Sequence, residues 1–437
     1  METTYLVEIR LGLTKWRICQ TVREISCRYP VDEFIEKHPH ITLFGPFVLR
    51  EGITSRILLD ILGSVAGRFD PVRFRIDGWD RKEGMHGNVI AFRVIPSSSL
   101  RDLTRAVAEA LSPLTESLIV WDATPDRKWF HVTIANRLQK PVADAVYSGL
   151  SGLKTDDTGS KPSDHNILLK IRQWLRTSLL QDPGRNITPP LLDESGLRVT
   201  VMQDAEILAE YDFLTKEWMT GDFSHKSGSW QRTLSRYRHA AGFELKDPIV
   251  PRTEDIFFIA DLHLGHANII RYCSRPFLSA DSEEMDHVLV KNWNYSIMPE
   301  NTVYFLGDLC YGKKAWEMFE YRKKLKGRIL FIRGNHDTDE LTVTRSAVLE
   351  QEGIHFFLVH DPVDAPGDFD GWVIHGHHHN NDLRHFPFVD FRNRRINVSA
   401  EVIGYVPVTL REICSVIKRG ESTGGTDHIL LRYPHVS

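Results

Sequence analysis

The stretch GWVIHGHHHN, residues 371–380, places four histidines within five positions directly after a short apolar run. A run such as WVI is typical of a buried strand, so the histidines lie where that strand ends. Alternate side chains of an extended chain share one side, which puts His375, His377 and His379 together. Imidazole nitrogens are common metal ligands. The stretch is therefore either a metal site or a polar loop rich in one residue type.

The same arrangement recurs in the second half of the chain, where polar residues follow apolar strand-like runs. IFFIA leads into DLHLGH, TVYFL into GDL, RILFI into RGNHD, HFFLV into HDP, and WVI into HGHHH. Open α/β sheets bind ligands at the carboxyl ends of their strands. We therefore expect these polar groups to converge on one site.

The residue types at these strand ends suit a pair of divalent cations. Aspartate, asparagine and histidine supply the oxygen and imidazole ligands that manganese, iron, zinc and nickel accept. No cysteine stands in these segments, so the pattern does not favour a thiolate zinc site. Asp261 and His263 are two positions apart and can face one metal, and Asp308 is the candidate for a carboxylate that bridges both ions.

At these residues the sequence resembles the calcineurin-like metallophosphoesterases, whose blocks D-x-H, G-D, G-N-H-D/E, a lone histidine and G-H-x-H are present in order. The resemblance implies a β-sandwich flanked by helices and two divalent metal ions, with Mn²⁺ preferred and iron, zinc or nickel as alternatives. One ion would be held by Asp261, His263, Asp308 and His379, and the other by Asp308, Asn335, His360 and His377. His336 would act at the phosphate as general acid or leaving-group stabiliser, with Asp337 orienting it, while His378 would not be a ligand.

The wider stretch DLHLGHANIIRYCSRPF, residues 261–277, resembles the small bacterial and phage-type branch of this family. By that resemblance Gly265, His266, Asn268 and Arg275 are predicted to shape the substrate pocket. A pair of metal ions clamps a phosphate and activates water for in-line displacement. Hydrolysis of a phosphate ester is therefore the expected chemistry.

Two shorter motifs mark the first half of the chain: HIT at residues 40–42 and HVT at residues 131–133. Each lies in an apolar run, so on a strand the histidine and threonine share one face while the middle residue points to the core. Two such strands side by side would line a groove in which one imidazole takes a proton from water and the other protonates the leaving oxygen. The threonines would hold the phosphate, and no metal is required. Taken singly, each triplet also fits a strand histidine in a satisfied hydrogen bond.

This arrangement resembles the 2H phosphoesterase superfamily, which includes 2'-5' RNA ligase-like proteins and 2',3'-cyclic nucleotide phosphodiesterases. The resemblance implies a two-lobed α+β domain whose catalytic residues are His40, Thr42, His131 and Thr133. It covers residues 1–220, with an insertion at about 151–190 that carries one amphipathic helix. Glycine, serine and proline accumulate over residues 221–252, which we interpret as a linker, and residues 253–437 form the metallophosphoesterase domain.

Composition places the protein among globular chains of two or more domains, since it has 437 residues of which 42% are apolar. The formal net charge of −4 provides no global field for polyanions, so RNA contact would rely on local basic groups such as RTLSRYRH, YRKKLKGR and FRNRR. Five scattered cysteines without a C-x-x-C pair favour a reducing cytoplasm. Neither a signal peptide nor a membrane-spanning run is evident, so we expect no membrane partner.

Both resemblances belong to phosphoester hydrolysis, and together they predict a bifunctional phosphoesterase acting on RNA ends or nucleotides. The first domain would open a 2',3'-cyclic phosphate to a 2'-phosphate, and the second would hydrolyse a phosphomonoester or phosphodiester. The partners would be RNA with 2',3'-cyclic phosphate or 2'-phosphate ends, or small nucleotides. One alternative is degradation of a cyclic or 2'-5'-linked signalling nucleotide. Another is a first domain that binds RNA without catalysis and serves the metallophosphatase.

Overall fold

A computed structural model describes residues 2–29, 38–84, 87–117, 119–152, 187–220, 227–247, 251–252, 254–312, 315–337, 344–422 and 429–430. The chain divides into two compact units, Met1–Ser224 and His225–Ser437. Most of the predicted insertion at 151–190, including its predicted helix, lies outside the described residues. Within the described ranges, no helix is both long and apolar enough to cross a bilayer.

The first unit alternates strands and helices along the chain, as its sequence pattern predicts. Its strands are β1 (Tyr5–Arg10), β2 (His40–Leu49), β3 (Val72–Gly84), β4 (Gly87–Pro96), β5 (Thr115–Ser117), β6 (His131–Leu138), β7 (Leu191–Gly196), β8 (Arg198–Gln203), β9 (Glu206–Asp212) and β10 (Glu217–Thr220). Its helices are α1 (Lys15–Arg28), α2 (Ser55–Ala66), α3 (Ser98–Leu111), α4 (Val120–Ala123) and α5 (Lys140–Ser151).

Two antiparallel sheets share one apolar core in this unit. The larger sheet has the order β10-β9-β8-β1-β2-β5 and the smaller has the order β6-β4-β3-β7. Helix α3 shows how the helices join this core. Its residues Leu100, Leu103, Val107 and Leu111 recur every three or four positions and are all buried, and Ser97 caps the first turn by accepting from the Leu100 N–H. The predicted α+β fold class is confirmed.

The second unit also contains two sheets with helices around them. Its strands are β11 (Ile256–Ile259), β12 (Thr302–Phe305), β13 (Arg328–Phe331), β14 (Ser346–Gln351), β15 (Ile354–Val359), β16 (Trp372–His375), β17 (Val389–Asp390), β18 (Arg395–Asn397), β19 (Val408–Thr409) and β20 (Ile429–Leu430). Its helices are α6 (Ser227–Ala240), α7 (Ala267–Tyr272), α8 (Glu283–Ser296), α9 (Met318–Arg322) and α10 (Leu410–Ser422).

Parallel pairing in the second unit determines where its loops meet. One sheet has the order β13-β12-β11-β19, with β11, β12 and β13 parallel to one another. The other has the order β14-β15-β16-β18-β17-β20, with β16 parallel to both β15 and β18. Parallel neighbours end at the same edge of a sheet, so the segments that follow them lie next to one another.

The stretch interpreted as a linker, residues 221–252, contains helix α6, which belongs to the second unit. The apolar side chains of Leu234, Tyr237 and Ala241 recur at helical spacing and are buried. Arg238 is buried as well, and its guanidinium donates to the Pro276 carbonyl at 2.9 Å and to Glu284 at 2.8 Å. Arg238 of the RTLSRYRH segment therefore contributes to internal packing and not to an exposed basic patch that could bind RNA.

Candidate metal centre and histidine pair

The segments that follow β11 and β12 lie side by side and bring the first two sequence blocks together. The Asp261 N–H donates to the Gly307 carbonyl at 3.0 Å, and the His263 N–H donates to the Asp308 carbonyl at 3.1 Å. Backbone pairing thus continues past the ends of the strands. It holds the D-L-H segment against the G-D segment.

Five of the seven predicted metal ligands have a left-handed backbone: φ is 57° at Asp261, 50° at His263, 61° at Asp308, 70° at His377 and 51° at His379. This conformation costs a residue with a Cβ roughly 1–2 kcal/mol. Backbone strain of this kind is found mainly at functional sites, where contacts with the surrounding structure hold the backbone in place. We attribute it here to the requirement that five side chains converge.

Asn335, His360 and His377 form one cluster of donor atoms. The Asn335 Oδ1 lies 2.9 Å from the His360 Nε2 and 3.0 Å from the His377 Nδ1. His360 Nδ1–H donates to the Leu306 carbonyl at 2.7 Å, which leaves the lone pair on Nε2. That lone pair also faces the Asp308 Oδ2 at 3.6 Å. A cation placed between these oxygen and nitrogen atoms would have ligands from all of these side chains.

A second cluster joins Asp261, His263 and His379, whose ligand atoms lie within 4.8 Å of one another. The ligand atoms of Asp261, Asp308 and His360 lie within the same distance, so the two aspartates connect both clusters. The Asp308 Oδ2 lies 3.5 Å from the His263 Nε2. Asp308 is therefore placed where a bridging carboxylate is expected.

The residues present fit a divalent cation. Asp261 Oδ1 and both ring nitrogens of His263 are buried without a hydrogen-bond partner. Unpaired buried polar atoms are costly, and a cation would satisfy them. The glycines of the motifs leave no space for a side chain: a Cβ on Gly334 would lie 2.2 Å from the Asp308 Oδ1, and one on Gly376 would lie 2.6 Å from the Asp261 Oδ2.

The pKa values around this centre reflect crowded ligands. Burial raises the pKa of Asp308, and the nearby Asp261 carboxylate raises it further. Burial lowers the pKa of His263 well below its usual value. A divalent cation favours the ionised carboxylates and the neutral imidazoles, because metal ligands must be deprotonated.

The predicted histidine pair lies in the first unit. His40 and Thr42 are on β2, His131 and Thr133 are on β6, and all four are partly exposed. Ile41 and Val132 are buried in the core, as the alternating pattern predicts. The two strands are not neighbours in one sheet, which differs from the expected side-by-side pairing. They belong to different sheets and contact each other, and the charge of His40 lowers the pKa of His131.

The surroundings of the two histidines differ. His131 donates its Nδ1–H to the Trp129 carbonyl at 3.0 Å, and its ring stacks on the Trp129 ring at 3.8 Å between centroids. Burial lowers the pKa of His131 to about 4. The His40 Nδ1 lies 2.8 Å from the His38 carbonyl, and its Nε2 lies 3.5 Å from the carboxylate of the buried Glu8. His131 is thus held neutral, while the His40 ring lies beside a carboxylate.

Comparison with known proteins assigns both parts of the chain. Residues 14–158 match the 2'-5' RNA ligase superfamily, and residues 255–418 match the calcineurin-like phosphoesterases. The chain joins a 2'-5' RNA ligase (2H) superfamily domain to a calcineurin-like phosphoesterase domain. By family it is a phosphoric ester hydrolase, and calcineurin-like domains typically bind divalent metals.

Several individual proteins are similar to parts of this chain. The uncharacterized protein MJ1445 of Methanocaldococcus jannaschii is 46% identical over 168 residues, which are 38% of this chain and 93% of that protein. The Gene 66 protein of Mycobacterium phage L5 is 32% identical over 83 residues, which are 18% of this chain and 39% of that protein. A protein of unknown function from Aquifex aeolicus, AQ665, is a solved structure with 25% identity and a TM-score of 0.30, covering 38% of this chain and 100% of its own. Escherichia coli LigT complexed with 3'-AMP has 12% identity and a TM-score of 0.24, and the match covers 50% of this chain and 93% of LigT.

In the calcineurin-like domain, Arg275, which was predicted to shape the substrate pocket, directs its side chain inward. Its guanidinium is buried and donates to the Asp261 carbonyl at 2.7 Å, to the Leu262 carbonyl at 2.8 Å and to Glu401 at 2.7 Å. All of these partners are internal. Arg275 therefore holds the D-L-H segment in place. In these contacts its N–H groups point to the protein interior and not to a substrate.

Glu401 is a residue of this centre that sequence reasoning missed. Its carboxylate lies 3.1 Å from the His379 Nδ1 and is buried. Although burial disfavours the charged ring, Glu401 raises the pKa of His379 well above its usual value. A carboxylate on one ring nitrogen fixes the ring so that the other nitrogen can bind metal. No spacing rule connects position 401 to the histidine cluster, so the sequence carried no signal for it.

Asp337, which was predicted to orient His336, contacts backbone groups. The Asp337 carboxylate accepts the backbone N–H groups of Asp308 at 2.8 Å, Leu309 at 3.0 Å and Gly334 at 2.9 Å. Asp337 thus ties the G-D segment to the G-N-H-D segment. The His336 ring is exposed and lies 5.6 Å from the His263 ring between centroids.

The remaining predicted pocket residues lie around the first sequence block. The His266 ring lies 5.7 Å from the His263 ring, and burial lowers the pKa of His266 to about 4. Asn268 is exposed, and its side-chain oxygen accepts from Arg271 at 2.6 Å. His378 was not predicted to be a ligand, and its ring stacks on Phe386 at 3.4 Å between centroids.

Proposed function

We propose that the protein is a bifunctional phosphoesterase that acts on RNA ends or nucleotides. The 2H domain would open a 2',3'-cyclic phosphate to a 2'-phosphate, and the calcineurin-like domain would hydrolyse a phosphomonoester or phosphodiester. The proposal rests on the observation that each unit contains its own group of candidate catalytic residues. One is a pair of histidines in different electrostatic surroundings, and the other is a buried cluster of carboxylates and imidazoles.

In the 2H domain we assign His131 as the base and His40 as the acid. His131 is held neutral with Nε2 free to accept, so it can take a proton from water as the water attacks phosphorus. The bond from phosphorus to the 3' oxygen breaks, and that oxygen takes a proton from His40, whose Nε2 lies 3.5 Å from the Glu8 carboxylate. The product carries a 2'-phosphate. Thr42 and Thr133 would hold the non-bridging oxygens.

In the calcineurin-like domain two divalent cations would be held, with Mn²⁺ preferred and iron, zinc or nickel as alternatives. Asp261, His263, Asp308 and His379 would hold one, and Asp308, Asn335, His360 and His377 the other. Bound cations of this kind lower the pKa of water and stabilise charge on phosphate oxygens. His336 is exposed beside His263, and from there it would protonate the leaving group.

The proposal is tested with an oligonucleotide that ends in a 2',3'-cyclic phosphate, incubated with the Mn²⁺-supplemented protein. Mass spectrometry should show a 2'-phosphate as the first product. Turnover of cyclic or 2'-5'-linked dinucleotides with no reaction on the oligonucleotide would instead favour a signalling nucleotide. Binding of the oligonucleotide without turnover would indicate that the 2H domain only presents RNA.

The pH dependence of ring opening should reflect the depressed pKa of His131. A base with a pKa of about 4 stays deprotonated as the pH falls from 7, so kcat/KM should decline only near pH 4. An unperturbed imidazole would give an acid limb at about pH 6.5. The measurement is kcat/KM between pH 4 and 8, with circular dichroism at each pH to confirm that the protein is folded. An acid limb above pH 6 would rule out His131 as the base in this form.

A further inference from the structure

A row of exposed aromatic rings borders the metal centre. Tyr311 follows the G-D block, is 44% exposed, and its ring lies 4.3 Å from the His336 ring and 4.9 Å from the His266 ring between centroids. Tyr272 is 41% exposed, and its ring lies 6.2 Å from the His266 ring between centroids. We call Tyr272, His266, Tyr311 and His336 the aromatic rim.

Backbone contacts place Tyr311 beside the first sequence block. The Tyr311 N–H donates to the Leu264 carbonyl at 3.1 Å, and Leu264 forms an isolated parallel bridge with Cys310. Nearly half of the Tyr311 side chain nevertheless remains exposed.

Burial of an aromatic ring is favourable, so a half-exposed ring beside a phosphate site suggests a partner with an aromatic face. We propose that Tyr311 is a stacking platform for a nucleobase, so that the calcineurin-like site prefers nucleoside phosphates and RNA ends over phosphate esters without a base. Tyr272 extends this platform outward. The inference rests on the proposed function of the metal site, because a phosphate near His336 places the rest of its substrate along the rim.

The test measures inhibition of Mn²⁺-dependent hydrolysis of p-nitrophenyl phosphate by two competitors, adenosine 5'-monophosphate and ribose 5-phosphate. The nucleotide carries adenine at the sugar carbon where ribose 5-phosphate carries a hydroxyl. Wild type should bind the nucleotide more tightly than the sugar phosphate. Tyr311→Ala should raise the inhibition constant of the nucleotide about tenfold or more and leave that of ribose 5-phosphate unchanged, since base stacking contributes about 1–3 kcal/mol. Tyr311→Phe should keep the wild-type value, because it retains the ring and loses only the hydroxyl.

Phe319→Ala removes another half-exposed ring that is outside the rim, and it should leave both inhibition constants unchanged. Equal inhibition of wild type by the two competitors, or an equal rise of both constants in Tyr311→Ala, would overturn the stacking proposal while the phosphoesterase proposal stands. A loss in Tyr311→Phe as large as in Tyr311→Ala would also overturn it, because the hydroxyl would then carry the interaction. Absence of any Mn²⁺-dependent hydrolysis in wild type would instead refute the proposed function of this domain.

Discussion

Asp308→Asn is expected to lower metal-dependent phosphoester hydrolysis by roughly 10³-fold or more. Metal ions contribute several kcal/mol to stabilising the transition state, and each 1.4 kcal/mol is a factor of ten in rate. Asp308 stands between His263 at 3.5 Å and His360 at 3.6 Å. Asparagine keeps the shape and the oxygen that accepts the His336 N–H at 2.9 Å, but it removes the negative charge.

The measurement is kcat/KM on p-nitrophenyl phosphate at saturating Mn²⁺, together with the metal content of the purified protein by mass spectrometry. His385→Ala is the matched control, because His385 is an exposed histidine of the same domain whose ring nitrogen contacts Asp382 at 2.8 Å. It should retain both activity and metal. Full activity in a folded Asp308→Asn protein would refute the assignment of Asp308 as a ligand shared by two ions.

His131→Ala is expected to lower the rate of 2',3'-cyclic phosphate opening by about 10²–10⁴-fold, the usual contribution of a general base. The variant loses the one imidazole in this pair that burial keeps neutral, as its pKa of about 4 indicates. Hydrolysis of p-nitrophenyl phosphate by the calcineurin-like domain should not change. The measurement follows both reactions in the same preparation.

His38→Ala is the matched control for the 2H domain. His38 contacts His40 through its backbone carbonyl at 2.8 Å, which alanine retains, and its own side chain is exposed. The His38→Ala protein should open the cyclic phosphate at close to the wild-type rate. Equal losses in His38→Ala and His131→Ala, or no loss in either, would contradict the assignment of His131.

The positions where strands end could be predicted from the sequence, because the pattern that marks them involves only neighbouring residues. An apolar run followed by Asp, His or Asn indicates a buried strand with polar residues at its carboxyl end. Strands β11 to β13 and β16 follow that pattern. The parallel pairing of β11 and β12 then explains why Asp261 and Asp308 meet. Burial of Ile41 and Val132 beneath the two histidine motifs was predictable for the same reason, since strand alternation is local.

Pairing between distant segments was not predictable from local pattern. Alternation gives the face of β2 and β6 but not the sheet to which each belongs, so it did not show that the two strands lie in different sheets. Arg275 and Asp337 are charged residues in or near the sequence blocks, and sequence alone does not show that their side chains contact backbone groups inside the domain. Glu401 reaches His379 only through the tertiary fold. The sequence does single out Glu8, because it is a charged residue in the middle of the apolar strand YLVEIRL.

We propose that one chain holds two phosphoesterase centres, of which only one needs metal. The direct measurement treats a single preparation with a chelator and follows two reactions: opening of an oligonucleotide 2',3'-cyclic phosphate and hydrolysis of p-nitrophenyl phosphate. Ring opening should continue at its original rate, while p-nitrophenyl phosphate hydrolysis should stop and return when Mn²⁺ is added. Loss of ring opening on chelation, with recovery on Mn²⁺ addition, would contradict the claim.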